Sequence, residues 1–492
     1  MAAAGEGLNW RGRFDWRGHV DWRGQALVAV AVAAPAGLLP LLLKPMDLAV
    51  AAAAMVCIAV LAYAVVAPRR WMILFFAASV LLPPFPIGGV SLHPSILVAA
   101  TGLLAGMLRI SAFKPLRVQP YATVNGALIA LCLALTFSLG FALLYSGFSI
   151  AAGSAVRVAL FGIGAYVYFS ASQGPDRPEP TEALRTARAM FYISMLAALF
   201  ACLDFVYQFP APAAFGAQFL WLDSGVYRRA QGLFYEASTL GNFSAFFLVM
   251  SLVALTQPRT RRVLHPAAAS AGVMLFAAAM LMSFSRASAV AAAAACLTLA
   301  VLERRRWAAS RVLSVLAALV LVAVIAFAYA LPEFASGYWQ HLGPGLETLL
   351  QSPDRVLSGR VEAWRTVAGF IAEHPWQVLF GIGYKTLPNS EYLGRPVIAD
   401  NMYLSMLVET GVPGLLALIG FNLAVLTVCW RAARAGTFFG KWMLCFWIGE
   451  TIQMLSADIL TYWRVLPLYF WVLAQAVRRT DLRAGSPAGP IQ

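Results

Sequence analysis

The chain has 492 residues, of which 61% are hydrophobic and only 12% charged, about half the usual charged share of a globular domain. Mean hydropathy is +0.74. This composition excludes a cytosolic enzyme, a disordered scaffold and a fibrous repeat, and it points to an all-α polytopic membrane protein. The net charge of +14 would point to nucleic acid in a soluble chain, but here the positive residues lie in short loops between apolar runs, so no nucleic-acid partner is expected.

In chain order, residues 1–25 form a cytoplasmic tail with three Trp-Arg-Gly units, beginning at Trp10, Trp16 and Trp22. Trp and Arg suit a membrane surface, but the tail reads first as low-complexity sequence. Fourteen apolar runs follow: 26–43, 46–67, 71–88, 91–108, 121–144, 150–170, 187–209, 238–256, 264–283, 286–303, 310–331, 402–429, 438–457 and 463–477. The first lacks a clean cleavage site and reads as a retained span. The third carries Pro83, Pro84 and Pro86 and reads as short or re-entrant; the twelfth carries Gly411, Pro413 and Gly414 and reads as broken. The expectation is 12–14 transmembrane helices.

With both termini inside, 25 of the 36 Lys and Arg fall in cytoplasmic segments, ten fall on the far side, and Arg157 lies within a span. Only Lys44, Lys114, Lys385 and Lys441 are lysines, which reads as coding bias. The six cysteines are widely spaced in apolar runs, without a disulfide or metal pattern. The expected units are the tail, an N-terminal bundle 26–209, a region 210–477 with far-side loops 210–237 and 332–400, and a cytoplasmic tail 478–492.

The second loop is roughly 70 residues long, which marks it as functional or disordered. Within it Ser358 can cap a helix whose apolar stripe is Val361, Trp364, Val367, Ala368 and Ile371, ending at Pro375. An amphipathic helix lying on the membrane or roofing a cavity fits this pattern, and so does a packing helix without chemistry.

No nucleotide-binding loop is present, and the five histidines have no metal-ligand spacing, so neither cofactor nor metal is expected. Gly381-Ile382-Gly383-Tyr384-Lys385 is only a weak glycine cluster. What stands out is a set of arginines toward the far side: Arg157, Arg228, Arg229, Arg286 and Arg360. Arg is suited to bidentate phosphate binding in a partly dry site. Singly, each reads as the partner of Asp223, Glu236, Glu333, Asp354 or Glu362; as a cluster they favour an anion. Asp47, Asp204, Glu409, Glu450 and Asp458 are acids in or near spans. Asp400, opening a helix, reads first as an N-cap and second as a base at the interface.

Five pieces then fall in order: Arg229-Ala-Gln-Gly232-Leu-Phe234; Ser283-Phe-Ser-Arg286; Ser358-Gly-Arg360 with Trp364; Glu373-His374-Pro375 leading to Gly381-Ile-Gly383; and Asp400-Asn401 with Tyr403-Leu404 and Glu409-Thr-Gly411-Val-Pro-Gly414. Together, over roughly Arg228 to Gly414, they resemble the O-antigen ligase/polymerase superfamily of bacterial envelope glycosyltransferases. The ligase pattern has His-Asn where this chain has Asp400-Asn401, so the sequence looks more like the exopolysaccharide and O-antigen polymerase members. The resemblance implies a metal-independent enzyme of the bacterial inner membrane. It would move glycan from an undecaprenyl-diphosphate carrier to an acceptor glycan or glycolipid at the periplasmic face. It also implies a chain-length regulator or export apparatus as further partners. Arg229 and Arg286 match positions that hold the diphosphate, with Arg228, Arg360 and Arg157 as further candidates. Asp400 is the candidate base, and His374, Asn401 and Glu409 are candidate supporting residues. The alternative class is a transporter or flippase of lipid-linked oligosaccharide.

Overall fold

A computed structural model describes residues 59, 68–87, 90–113, 122–173, 180–210, 218–222, 225–307, 360–389 and 396–484. The expected spans 26–43, 46–67 and 310–331, the Trp-Arg-Gly tail and the Ser358 cap lie outside them. Thirteen α-helices are present among the described residues: α1 (Pro68–Leu81), α2 (Pro94–Phe113), α3 (Ala122–Ser146), α4 (Phe148–Gln173), α5 (Pro180–Tyr207), α6 (Ala237–Leu255), α7 (Pro266–Met282), α8 (Arg286–Trp307), α9 (Arg360–Glu373), α10 (Pro375–Phe380), α11 (Met402–Arg434), α12 (Phe438–Gln453) and α13 (Leu466–Ala484). Six of them are long and apolar enough to cross a membrane, and the chain is an all-α polytopic membrane protein.

Every expected span inside the described residues corresponds to a helix. The proline-rich third run behaves as expected. Its helix stops at Leu81, because Leu82 precedes Pro83 and a residue before proline leaves the helical region. The chain then forms a short antiparallel ribbon, β1 (Phe85–Ile87) with β2 (Val90–Leu92). A second ribbon, β3 (Phe219–Leu222) with β4 (Gly225–Arg228), pairs Phe219 with Arg228. These ribbons border loops and leave the helical architecture unchanged.

Helix α6 is apolar almost all round and buried almost all round, as a central helix must be. It packs on α7, α8 and α12, while α13 packs on α4, α11 and α12. Aromatic rings fill the junction: Phe246 meets Trp442, Phe446 and Tyr469 at centroid separations of 4.5, 4.7 and 4.5 Å. Helix α3 lies at the outside, where Leu133, Phe137, Leu143 and Leu144 are exposed and hydrocarbon would cover them. The five described cysteines are free thiols.

Polar groups within the core pair with one another. Asn242 donates to Glu450 at 2.6 Å and to Gln453 at 3.1 Å, and it accepts from the Tyr469 hydroxyl. Gln453 reaches Ser288 at 3.4 Å, which ties α12 to the start of α8. These two helices approach closely because Gly449 carries no side chain: a Cβ there would lie 2.4 Å from the Ala291 carbonyl oxygen. Gly449→Val should therefore push α8 away and cost about 1–3 kcal/mol by overpacking, seen as a lower thermal midpoint in detergent. Gly162→Ala, where nothing lies within 4 Å, should leave the midpoint unchanged.

Candidate functional site

The site is organised by a break in α11. Gly411 has φ 75° and ψ −176°, outside helical space. Pro413, four residues after Glu409, has no amide hydrogen to give to the Glu409 carbonyl. Two carbonyls are thus released from the helix, and a loop takes them: Ile382 N donates to Val408 O at 3.0 Å and Gly383 N to Glu409 O at 2.8 Å. The approach is so close that both sides need glycine. A Cβ on Gly381 would lie 2.5 Å from Glu409 O, and one on Gly411 would lie 2.5 Å from Leu379 O. Both residues have positive φ, which a side chain would also penalise. On its other side the loop meets α3, where Ser138 accepts from Tyr384 N at 3.2 Å and Phe141 stacks on Phe380. The glycine cluster that looked weak in sequence is therefore a docking device, and it carries Lys385 into the site.

Residues 396–401 lead into α11. Val397 N donates to Leu387 O at 2.9 Å. Helix α9 grips the same segment with residues one turn apart: Trp364 Nε1 donates to Ala399 O at 2.7 Å, and Arg360 Nε lies 3.2 Å from Asp400 Oδ2. The buried stripe of α9 is Val367 and Phe370; Ala368, placed in the stripe by sequence, is exposed. His374 follows α9 and sets its ring edge-on against Phe370, at 4.9 Å between centroids.

The N-cap assignment changes. Asn401, not Asp400, caps α11, its Oδ1 accepting from Leu404 N at 3.0 Å. Asp400 has φ +44°, a left-handed conformation that Asp tolerates better than most residues, and this turns its carboxylate away from the helix end and toward Arg360. The two side chains are 44% and 27% exposed. Asp400 is thus an accessible carboxylate held by a guanidinium and free of capping duty.

The arginines separate into those with structural partners and those near the surface of the site. Arg228 is buried, its Nη2 2.5 Å from Asp204 Oδ1, while Gln208 bonds its backbone N–H and C=O. The partner is Asp204, expected from sequence as an acid in a span but not among the partners named for the arginines. Arg229 Nε donates to Ser283 O at 2.8 Å, and Ala230 N donates to Met282 O at 3.0 Å. The 228–235 turn is thereby tied to the turn that opens α8, which brings Arg229 beside the segment bearing Arg286; Arg286 is half-buried at the first position of that helix. Glu236 precedes α6 and accepts from the hydroxyls of Ser238 and Thr239 at 2.8 and 2.7 Å. Arg157, on α4, donates to Lys385 O at 3.2 Å and has no carboxylate partner among the described residues.

The turn between α12 and α13 joins these parts. Met454 O accepts from Met402 N at 2.8 Å, at the start of α11. Asp458 pairs with Lys385. Tyr462, in the same turn, is buried, and its backbone N–H donates to Ile459 O at 2.9 Å. Arg464 is buried, with Nε and Nη2 on Ser79 O, Nη1 on Leu233 O at 2.7 Å, and Phe234 below it. It has no carboxylate partner among the described residues. Burial pulls the Lys385 ammonium below its usual range, and the carboxylates of Glu409 and Asp400 act in the other direction. Glu409 is buried beneath the loop and accepts from Leu387 N at 3.2 Å.

Sequence reasoning gave no role to Lys385 or Arg464 and left Asp458 as one acid among several. One signal was present. In a chain whose cations are nearly all arginine, the two described lysines, Lys385 and Lys441, both form ion pairs with the lysine side chain buried or nearly so, Lys441 with Glu303.

Residues 271–419 match the O-Antigen ligase family model, under a third of the 492-residue chain. The resemblance to the O-antigen ligase/polymerase superfamily holds over that segment. It takes in Arg286, Arg360, Lys385, Asp400 and the α11 break, and it excludes Arg157, Arg229, Asp458 and Arg464. No match is found among curated proteins.

Because two glycines hold the loop on α11, Gly381→Ala and Gly411→Ala should each lower the thermal midpoint, by about 1–2 kcal/mol from conformation alone and more from the clash. Gly420→Ala, in the same helix with nothing within 4 Å, should be neutral or slightly stabilising. Unchanged midpoints for both loop-facing variants would contradict the docking role.

Proposed function

We propose that the chain is a membrane-embedded glycosyltransferase that moves glycan from an undecaprenyl-diphosphate carrier to an acceptor glycan at the periplasmic face, in O-antigen or exopolysaccharide polymerisation or ligation. The observation that carries this reading is Asp400: an exposed carboxylate relieved of capping by Asn401, held by Arg360, and lying inside the segment that matches the O-Antigen ligase family. The catalytic region in this reading spans 210–477, in a multi-pass bacterial inner-membrane protein with cytoplasmic termini.

In the reaction an acceptor hydroxyl oxygen attacks the anomeric carbon of the donor glycan. The bond from that carbon to the phosphate oxygen breaks, and the electron pair leaves with the lipid diphosphate. Asp400 takes the hydroxyl proton as general base. Arg229, Arg286 and Arg157 hold the diphosphate and stabilise the charge that builds on it. Arg360 sits between the two tasks, able to hold either Asp400 or a phosphate oxygen. Arg228 serves the site through its pair with Asp204, which fixes the turn carrying Arg229. An attack of this kind inverts the anomeric centre.

The test is transfer in liposomes, with purified protein, labelled lipid-linked oligosaccharide, a chelator and no nucleotide, the products sized on a gel. A ladder of longer lipid-linked glycans identifies a polymerase, and a shift only of added lipid A-core identifies a ligase. Folded protein that transfers to neither acceptor would sink the reading and favour a flippase. Asp400→Asn should abolish transfer while leaving the thermal midpoint in place; wild-type turnover in that variant would remove Asp400 as the base. Arg286→Lys should also lose activity, because a point charge cannot replace the guanidinium fork.

A further inference from the structure

We propose that Lys385 and Asp458 are positioning residues that set the two halves of the site relative to each other, the inference resting on the transferase reading above. One half is the Gly381–Asn389 loop with Arg157 docked on it. The other is the α12–α13 turn, which meets the start of α11 through Met454 O and the 228–235 turn through Arg464.

Lys385 is the point of contact for both. Its carbonyl accepts from Arg157 Nη1 and from Asn389 Nδ2, each at 3.2 Å. Its ammonium pairs with Asp458, 73 residues away in sequence, and the two side chains are 8% and 15% exposed. Asp458 leads into the turn Ile459–Thr461, and the same α12–α13 turn is fixed to the start of α11, beside Asp400, where Met454 O accepts from Met402 N at 2.8 Å. Moving the pair would move the Arg157 guanidinium on one side and the surroundings of Asp400 on the other. The backbone is held in unusual conformations at both places: φ is +59° at Lys385 and +44° at Asp400. Such conformations persist where surrounding contacts over-determine them.

A buried ion pair is a poor device for stability. Two well-packed apolar residues of similar volume are often as stable or more so, whereas removing one partner strands a charge. That difference separates a positioning role from a merely structural one. Lys385→Met alone and Asp458→Leu alone should each reduce the yield of folded protein. The double variant Lys385→Met/Asp458→Leu should recover yield and thermal midpoint, yet lose donor affinity.

The experiment measures KM and kcat for the lipid-linked donor in liposomes, and binding of undecaprenyl diphosphate without glycan, for wild type, the double variant and Lys385→Arg. Lys385→Arg keeps the charge but not the ammonium geometry. The expected result is a donor KM raised roughly 10- to 100-fold in the folded double variant, as for other misplacements remote from the reacting atoms, with bare lipid diphosphate binding weakened in parallel. Lys385→Arg should fold and show a smaller shift of the same kind. Wild-type KM and kcat in either variant would overturn the positioning role while leaving the transferase reading intact. A double variant that does not recover folding, together with an unaffected Lys385→Arg, would assign the pair to structure alone. A wild-type protein that neither transfers glycan nor binds undecaprenyl diphosphate would instead overturn the transferase reading.

Discussion

A backbone carbonyl released from a helix inside a packed bundle must find another donor, because neither hydrocarbon nor protein interior supplies one freely. The break at Gly411 and Pro413 creates two such carbonyls, and the amides of Ile382 and Gly383 meet them. Much of the site's geometry follows from this exchange. It fixes the loop that carries Lys385, which fixes where Arg157 docks and where Asp458 pairs. It also explains why a glycine is needed on each side, since two backbones cannot approach this closely past a Cβ. A helix break that would be a defect in isolation is here the joint between α11 and the loop.

Charge is distributed unevenly around this joint. Glu409, Asp458 and Lys385 lie below the surface, where each charge has an opposite neighbour. Arg157 and Arg464 differ: their hydrogen bonds go to carbonyl oxygens, and Glu409 and Glu236 act on them from beyond ion-pair distance. Carbonyls orient a guanidinium without cancelling its charge. Arg464 also ties its own segment, before α13, to two others, so it acts as a staple between α1, the 228–235 turn and the start of α13. The result is a set of guanidiniums and carboxylates drawn together from distant parts of the sequence.

The helical architecture was legible because long apolar runs leave few alternatives to a spanning helix, and because Pro83 and Pro413 act locally. Asp400 and Arg360 stood out for the same reason: charged residues near apolar segments ask for an explanation. What the sequence could not show was which partner each charge finds. Asp204 was visible as an acid in a span, yet its pairing with Arg228 depends on how α5 meets a turn 24 residues later. Asn401 and Asp400 both suit an N-cap, and only the left-handed backbone at Asp400 decides between them. Lys385 was hidden for a different reason. Its role comes from a loop docking onto a broken helix, an event that no periodicity records.

The two ion pairs of the site, Lys385–Asp458 and Arg360–Asp400, differ in a way that bears on what each can do. The first is almost wholly buried, so separating it would leave charges in a medium that solvates them badly. It behaves as a fixed strut. The second is 27% and 44% exposed, and pairs of that kind hold by only about 0–1 kcal/mol because water competes for both partners. In the proposed transfer an incoming phosphate would therefore draw Arg360 away at small cost and leave Asp400 free to take a proton. A site that must bind an anion and then use a carboxylate beside it needs both kinds of pair: a rigid one to hold the frame, and a weak one that the ligand itself can rearrange.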